Sequence, residues 1–125
     1  MSDLQPRFTV SNDLGHNEVH FSVSGFWKED TAASFIREIS AASAPLIASG
    51  KPFRVLGDLS AMVTQDRQIA DILRRTLARS QQAGMERIAI VTQSQLVRLQ
   101  YKRVSERITV EFFDGKIDAL HWLRT

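Results

Sequence analysis

Two short, nearly continuous apolar runs, Phe53-Arg54-Val55-Leu56 and Ile88-Ala89-Ile90-Val91, each lie between stretches whose apolar residues recur at helical spacing. Runs of that kind suit strands buried on both faces. Strands that alternate with helices pair in parallel, because each connection must cross back over the sheet. Upstream the period changes. Phe8 to Ser11 and Val19 to Ser24 alternate apolar and polar residues, and the turn formers Asn12-Asp13-Leu14-Gly15-His16-Asn17 stand between them. That pattern predicts an antiparallel hairpin, with Phe8 and Val10 on one face of its first strand and Val19, Phe21 and Val23 on one face of the second.

The helices follow from their stripes. Ala32, Phe35, Ile36, Ile39, Ala42 or Ser43, Leu46 and Ile47 mark the first, with Glu29 and Asp30 in its first turn, where the helix dipole favours them. Pro45 is expected to kink that helix or split off its last turn, and Gly50 with Pro52 stops it. The third strand is Phe53 to Asp58. A second helix is expected from about Thr64, as N-cap, to Ala83, with Ile69, Ile72, Leu73, Thr76 and Ala83 inward and Gly84 as its stop. A fourth strand runs from Arg87 to Val91. Ser94 caps a third helix with Val97, Tyr101 and Val104 inward. Ile108 to Phe113 is an outer strand, and Asp114 caps a last helix carrying Ile117, Leu120 and Leu123. The order is β-β-α-β-α-β-α-β-α: an α/β fold with a single mixed, mostly parallel five-stranded sheet and about four helices. Right-handed crossovers are expected. With no linker, repeat or low-complexity segment, the 125 residues suit one domain, 1–125.

Composition narrows the function classes. Hydrophobic residues make up 43% and charged residues 24%, which is ordinary for a globular chain. A net charge of +2 does not demand nucleic acid. The absence of cysteine removes disulfides and thiolate chemistry and fits a reducing compartment. The N-terminal stretch lacks the apolar core of a signal peptide, and no stretch approaches the roughly 20 apolar residues that span a bilayer. A soluble, cytoplasmic chain is the expectation.

Few residues stand in a pattern that carries chemistry. Gly-x-Ser-x-Gly is absent, since Ser22-Val23-Ser24-Gly25 lacks the first glycine. His16 and His20 are spaced across a loop and a strand rather than on one helical face, so no metal site is expected. No glycine-rich phosphate loop occurs, and no cofactor is expected. Arg67, Arg74, Arg75 and Arg79 on the second helix, and Arg98, Lys102, Arg103 and Arg107 on or after the third, read as solvated faces broken by Asp71 and Glu106. Without interleaved aromatics they do not point to nucleic acid; an acidic partner or peripheral contact with an anionic membrane is the alternative.

The best candidate site is the stretch Asp58-Leu59-Ser60-Ala61-Met62-Val63-Thr64-Gln65-Asp66. It leaves a strand at its carboxyl end, where open α/β sheets bind ligands, and enters a helix N-terminus. Asp58, Ser60, Thr64 and Asp66 are its polar candidates; the plain alternative is a loop whose Asp58 caps backbone N–H groups. Phe26, Trp27, Met62 and Val63 fit the core period least. They are either core or, if they gather on one side, the lining of an apolar pocket or a dimer face.

Several phrases together resemble the STAS-like superfamily, the anti-sigma-factor-antagonist or SpoIIAA-like fold. They are Ser24-Gly25-Phe26-Trp27, Val55-Leu56-Gly57-Asp58-Leu59-Ser60, Ile88-Ala89-Ile90-Val91, and the ending from Val110 through Asp114 to Ala119-Leu120-His121-Trp122-Leu123. The resemblance runs from Phe8 to nearly the end. It implies a non-enzymatic module that binds a protein partner or an apolar, lipid-like small molecule. Phosphoregulated antagonists carry a serine in an Asp-Ser-Ser-Gly loop. The matching stretch here, Thr64-Gln65-Asp66-Arg67-Gln68, keeps an aspartate but puts Arg67 and Gln68 where the serines would be, so no phosphoswitch is carried over. The subgroup that resembles lipid-transfer domains is the better match, its pocket suiting Phe26, Trp27, Met62 and Val63. A homodimeric scaffold without a small ligand is the alternative, because the last helix carries apolar residues nearly all round.

Overall fold

A computed structural model describes residues 4–105 and 107–125; Glu106, expected to break the basic run after the third helix, lies outside them. The strands are β1 (Arg7–Asp13), β2 (Glu18–Gly25), β3 (Phe53–Met62), β4 (Met85–Val91) and β5 (Val110–Phe113). The helices are α1 (Glu29–Ala48), α2 (Arg67–Gln82), α3 (Gln95–Val104) and α4 (Lys116–Leu123), and a short 3-10 turn, Leu14–His16, joins the hairpin. The expected order and sheet are present. Strands lie side by side in chain order, β1 antiparallel to β2 and every later pair parallel.

That monotonic order dictates the layers. Successive crossovers of one hand, stepping in one direction, put all their helices on one face. The main core accordingly joins Phe35 and Leu46 of α1, Ile69 and Leu73 of α2, and Val97, Tyr101 and Val104 of α3 to the same sheet face. Phe8, Phe21, Trp27 and Phe35 interlock there, with ring centroids 5.0–5.9 Å apart. The opposite face receives α4 alone, which buries Ala119 and Leu123 against Leu56, Ala89 and Val91. Beyond α4 that face is polar, with Thr9, Ser11, His20 and Ser22 in register on β1 and β2.

Several boundaries differ from the sequence expectation. β3 continues past Asp58 to Met62. Ser22 pairs with Asp58 but Ser24 with Ala61, so a bulge inserts one residue into β3. Asp58 Oδ1 accepts hydrogen bonds from the Ser60 N–H at 3.0 Å and its hydroxyl at 2.6 Å, supplying a partner where the ladder is interrupted. Asp66, not Thr64, caps α2, because its Oδ1 accepts from the Ile69 N–H at 2.9 Å. Ala83 lies beyond the last turn and is exposed. Pro45 sits inside an unbroken α1. The Ala41 carbonyl it leaves without a helical donor is on an exposed residue, and the next carbonyl, of Ala42, accepts from Asn12 Nδ2 at 3.0 Å. The outer strand begins at Val110, after the chain turns through Arg107 at φ 70°. Asp114 does not cap α4; Gly115 holds that position, and the Asp114 carboxylate is taken by Arg98 at 2.6 Å. In α4 the apolar circuit is mostly consumed: Leu120 and Trp122 are half-buried, and Ile117, expected inward, is 84% exposed.

Two constraints escape the sequence pattern, the first of them electrostatic. Glu18 is fully buried at the start of β2, bound by Arg124 Nε and Nη2 at 2.9 and 3.0 Å and by His20 Nε2 at 2.8 Å. Desolvation pushes its carboxyl pKa up, but the Arg124 and His20 hydrogen bonds outweigh that and hold it below the usual range. A depressed carboxylate pKa contributes stability at neutral pH that is lost as pH falls through the folded-state value. In Arg124→Met the desolvation remains with less to oppose it. Urea unfolding of that variant should show a midpoint well below wild type near neutral pH. The gap should narrow in acid, where Glu18 is protonated in both proteins; a gap independent of pH would contradict the pairing.

The second constraint is steric. A Cβ on Gly57 would lie 2.4 Å from Cζ of Phe21, whose ring crosses β3 at that point. Gly57→Ala should therefore cost about 1–3 kcal/mol by overpacking. Equilibrium denaturation would measure it, and a double variant with Phe21→Leu should recover part of the loss.

Candidate functional site

The parallel strands β2, β3 and β4 end at one edge of the sheet, and the connections leaving them form a single surface. Gly25 at the end of β2 pairs with Met62 at the end of β3. Side chains diverge at each strand exit. Trp27 is 1% exposed within the aromatic cluster and donates its Nε1–H to the Ser24 carbonyl at 2.9 Å, and Met62 is core as well. Phe26 and Val63, their chain neighbours, are 41% and 36% exposed. The four apolar candidates therefore divide into two core residues and two surface residues and do not line one pocket. Asp58 and Ser60 point elsewhere, toward Gln93, whose Nε2 donates to Ser60 Oγ and, at 2.7 Å, to the Asp114 carbonyl near the start of α4. Thr64 is exposed in the loop, and Asp66 is committed to capping α2.

Gln65 holds the surface together. It is buried, and its Oε1 accepts from the Trp27 N–H at 2.7 Å while Nε2 donates to the carbonyls of Gly25 at 2.9 Å and Val63 at 2.7 Å. Its own backbone is gripped from α3: the Gln65 N–H donates to Gln100 Oε1 at 2.8 Å, and Gln100 Nε2 donates to the Gln65 carbonyl at 2.9 Å. Two amides thereby join the site, that of Gln65 tying the exits of β2 and β3 together and that of Gln100 tying them to α3. Nothing in the local sequence marks Gln65, since the residues it bonds are up to 40 positions away.

On α3, Gln100 is flanked by Leu96 and Leu99, which are 68% and 53% exposed. Inward periodicity identifies the opposite stripe of that helix and leaves these two unexplained. Leu4 joins them from the N-terminal side: its carbonyl accepts from the Phe26 N–H at 2.9 Å and its side chain is 51% exposed. Leu4, Phe26, Val63, Leu96 and Leu99 thus stand exposed around the carboxyl edge. Alongside runs an open groove between α2 and α3, bordered by Arg67, Arg74 and Arg103 and floored by Ala70 and Val104. Asp71 also lines it. The hydrogen bond from Arg74 holds the Asp71 carboxyl below its usual range, and Arg75 lies 3.4 Å from its other oxygen.

Two other candidate sites carry less chemistry. Asp13, His16 and Glu18 have ligand atoms within 4.8 Å of one another. Each is already engaged, Asp13 by His16 at 2.8 Å and Glu18 by His20 and Arg124, and Arg124 also approaches Asp13 at 3.6 Å. A cation there would meet a guanidinium. Inside the core, a cavity of about 40 Å³ lies among Phe21, Phe35, Ile39, Val55, Leu73 and Met85. Pockets for drug-sized ligands enclose roughly 300–1,000 Å³. Among the described residues no helix is long and apolar enough to cross a membrane.

If Gln65 is the clamp, Gln65→Ala leaves buried backbone groups without partners and should cost about 2 kcal/mol or more. The Trp27 amide should then exchange with solvent markedly faster, measured by hydrogen exchange. Unchanged protection of Trp27 would show that the amide is not held through Gln65.

Comparison with known proteins places this geometry. Among curated proteins, none matches the chain. An uncharacterised protein from Shewanella loihica PV-4 with a SpoIIAA-like fold is similar over 98% of both chains, at TM-score 0.73 and 19% identity. An anti-sigma factor antagonist from Mycobacterium paratuberculosis is similar over 97% of this chain and 96% of its own, at TM-score 0.66 and 20% identity. At those identities the likeness is one of fold. The family model described as SpoIIAA-like matches residues 19–124, which is most of the sequence from β2 to α4, and this chain belongs to the SpoIIAA-like family.

Proposed function

We propose that this chain is a non-catalytic regulatory module that docks a partner protein through the carboxyl edge of its sheet, acting in the cytoplasm. The observation that carries the reading is the gathering of exposed apolar side chains, Leu4, Phe26, Val63, Leu96 and Leu99, at one edge. Large apolar side chains exposed together on an otherwise well-packed domain mark interaction surfaces. These stand on elements fixed by the Gln65 and Gln100 hydrogen bonds, so little order has to be gained on binding. The similarity of fold to an anti-sigma factor antagonist is consistent with a protein partner. Protein docking is favoured over an apolar small molecule because Trp27 and Met62, two of the four apolar candidates, are buried in the main core rather than lining an opening.

Photo-crosslinking in cells tests this. A benzophenone side chain placed at Phe26, Val63 or Leu99 should capture one discrete protein, whereas the same group at Lys51 or Arg79, toward the opposite edge, should not. Leu99→Asp should reduce capture from Val63 at least about tenfold, as loss of a central anchor does. Equal capture from both edges, or none from the carboxyl edge of a folded protein, would overturn the reading.

A further inference from the structure

We infer that the partner presents an acidic amphipathic helix, which lies in the groove between α2 and α3 with its apolar face on Leu96, Leu99 and Val63. This rests on the docking surface proposed above and adds the chemistry of its occupant. Two periodicities point to a helix. On α3, Leu96, Leu99 and Arg103 follow one another at intervals of three and four residues and form one continuous ridge. On α2, Arg67 and Arg74 are seven residues apart, two turns or about 10 Å along the axis. A groove between two helices, charged on both banks and floored by Ala70 and Val104, with the exposed leucines of α3 on the same helix flank as its Arg103, has the form of a helix-in-groove site.

Charge selects the sign. Arg67, Arg74 and Arg103 line the groove against the single carboxylate of Asp71. Arg74 and Asp71 satisfy one another. Arg67 and Arg103 form no ion pair among the described residues, and both are exposed. Arg103 lies on the flank of α3 that also carries Gln100 and the exposed leucines, whereas Arg98 and Lys102 turn away toward Asp114 and Phe112. Arg67 acts on Asp71 only through its charge, without a contact, so exposed positive charge borders the apolar ridge, and carboxylates one or two turns apart on a bound helix would reach it. The groove runs open between two helices, a shape that a rod-like helix fits along its length.

Nuclear magnetic resonance titration with designed peptides provides the test. The probe is a Leu/Glu amphipathic helix of about 18 residues, roughly five turns, compared with its Leu/Lys counterpart. The Leu/Glu helix should shift amide resonances of residues 63–74 and 96–104, and the Leu/Lys helix should not. The exposed charge reversals Arg67→Glu and Arg103→Glu together should weaken binding by at least roughly tenfold, with the remaining spectrum unchanged as proof of folding. Binding at the same residues that ignores peptide charge, or survives the double reversal, would overturn the acidic partner and leave the docking surface standing. No binding of the Leu/Glu helix also overturns it, and the crosslinking outcome then judges the docking surface separately. Pelleting with phosphatidylserine vesicles without peptide binding would replace the helix with an anionic bilayer. A concentration-dependent dimer abolished by Leu99→Asp would replace it with a second copy of this chain.

Discussion

Arg54 and Arg87, paired side by side on β3 and β4, hold the end of α4, and the smaller face of the sheet depends on them. Arg54 Nη1 donates to the Leu123 carbonyl at 2.7 Å; Arg87 donates to the carbonyls of Trp122 and Thr125 at 3.2 and 2.9 Å, and its guanidinium lies 5.0 Å from the Trp122 ring centroid. An eight-residue helix is marginal alone, and its last carbonyls are unsatisfied and carry the negative end of its dipole. Two cations on rigid strands answer both needs. The Nε atoms of the same arginines are buried without hydrogen bonds, but Glu86 stands 3.7 and 3.9 Å away and offsets the paired charge. Arg124, just past the helix, then closes on buried Glu18 in the hairpin. The last residues and the first hairpin are thus joined through charges that hydropathy does not register.

The parts legible in the sequence are those whose cause is local. The stripe Val97, Tyr101 and Val104, the Ser94 cap that accepts from the Val97 N–H, and the apolar centre of β4 follow from side-chain period and capping chemistry within a few residues. The parts not legible have distant causes. The length of β3 is set by a bulge opposite β2, so its last residues pair although the alternation stops. The Asp114 carboxylate has the right chemistry for a cap and is drawn off by Arg98, sixteen positions away. Choosing Asp66 over Thr64 required knowing where β3 lets the chain go.

The candidate surface was half legible for the same reason. Phe26 and Trp27 are adjacent, as are Met62 and Val63, and in each pair one side chain enters the core while the other meets solvent. Sequence identifies all four as apolar residues outside the helical stripes. The pairing of Gly25 with Met62 decides which two remain outside. Leu96 and Leu99 escaped notice because α3 is legible as a helix from its inward residues alone, and two further leucines do not disturb that pattern. Gln65 escaped because a buried amide differs from an exposed one only in its partners.

The clamp and the groove together bear on how such a surface can be controlled. The Gln65 side chain ties the loop between β3 and α2 to the exit of β2, and the Gln100 side chain ties the same loop to α3, so the apolar edge is held in place within the fold. At the start of α2, Arg67 and Gln68 occupy the first helical positions, and Gln68 hydrogen-bonds Glu29 of α1. Neither side chain has a hydroxyl to phosphorylate. Arg67 instead fixes a positive charge at a helix end that already favours anions. The charge at that position is thus set by an arginine, and the nearest upstream hydroxyls are those of Thr64 and Ser60, both exposed, before the helix begins.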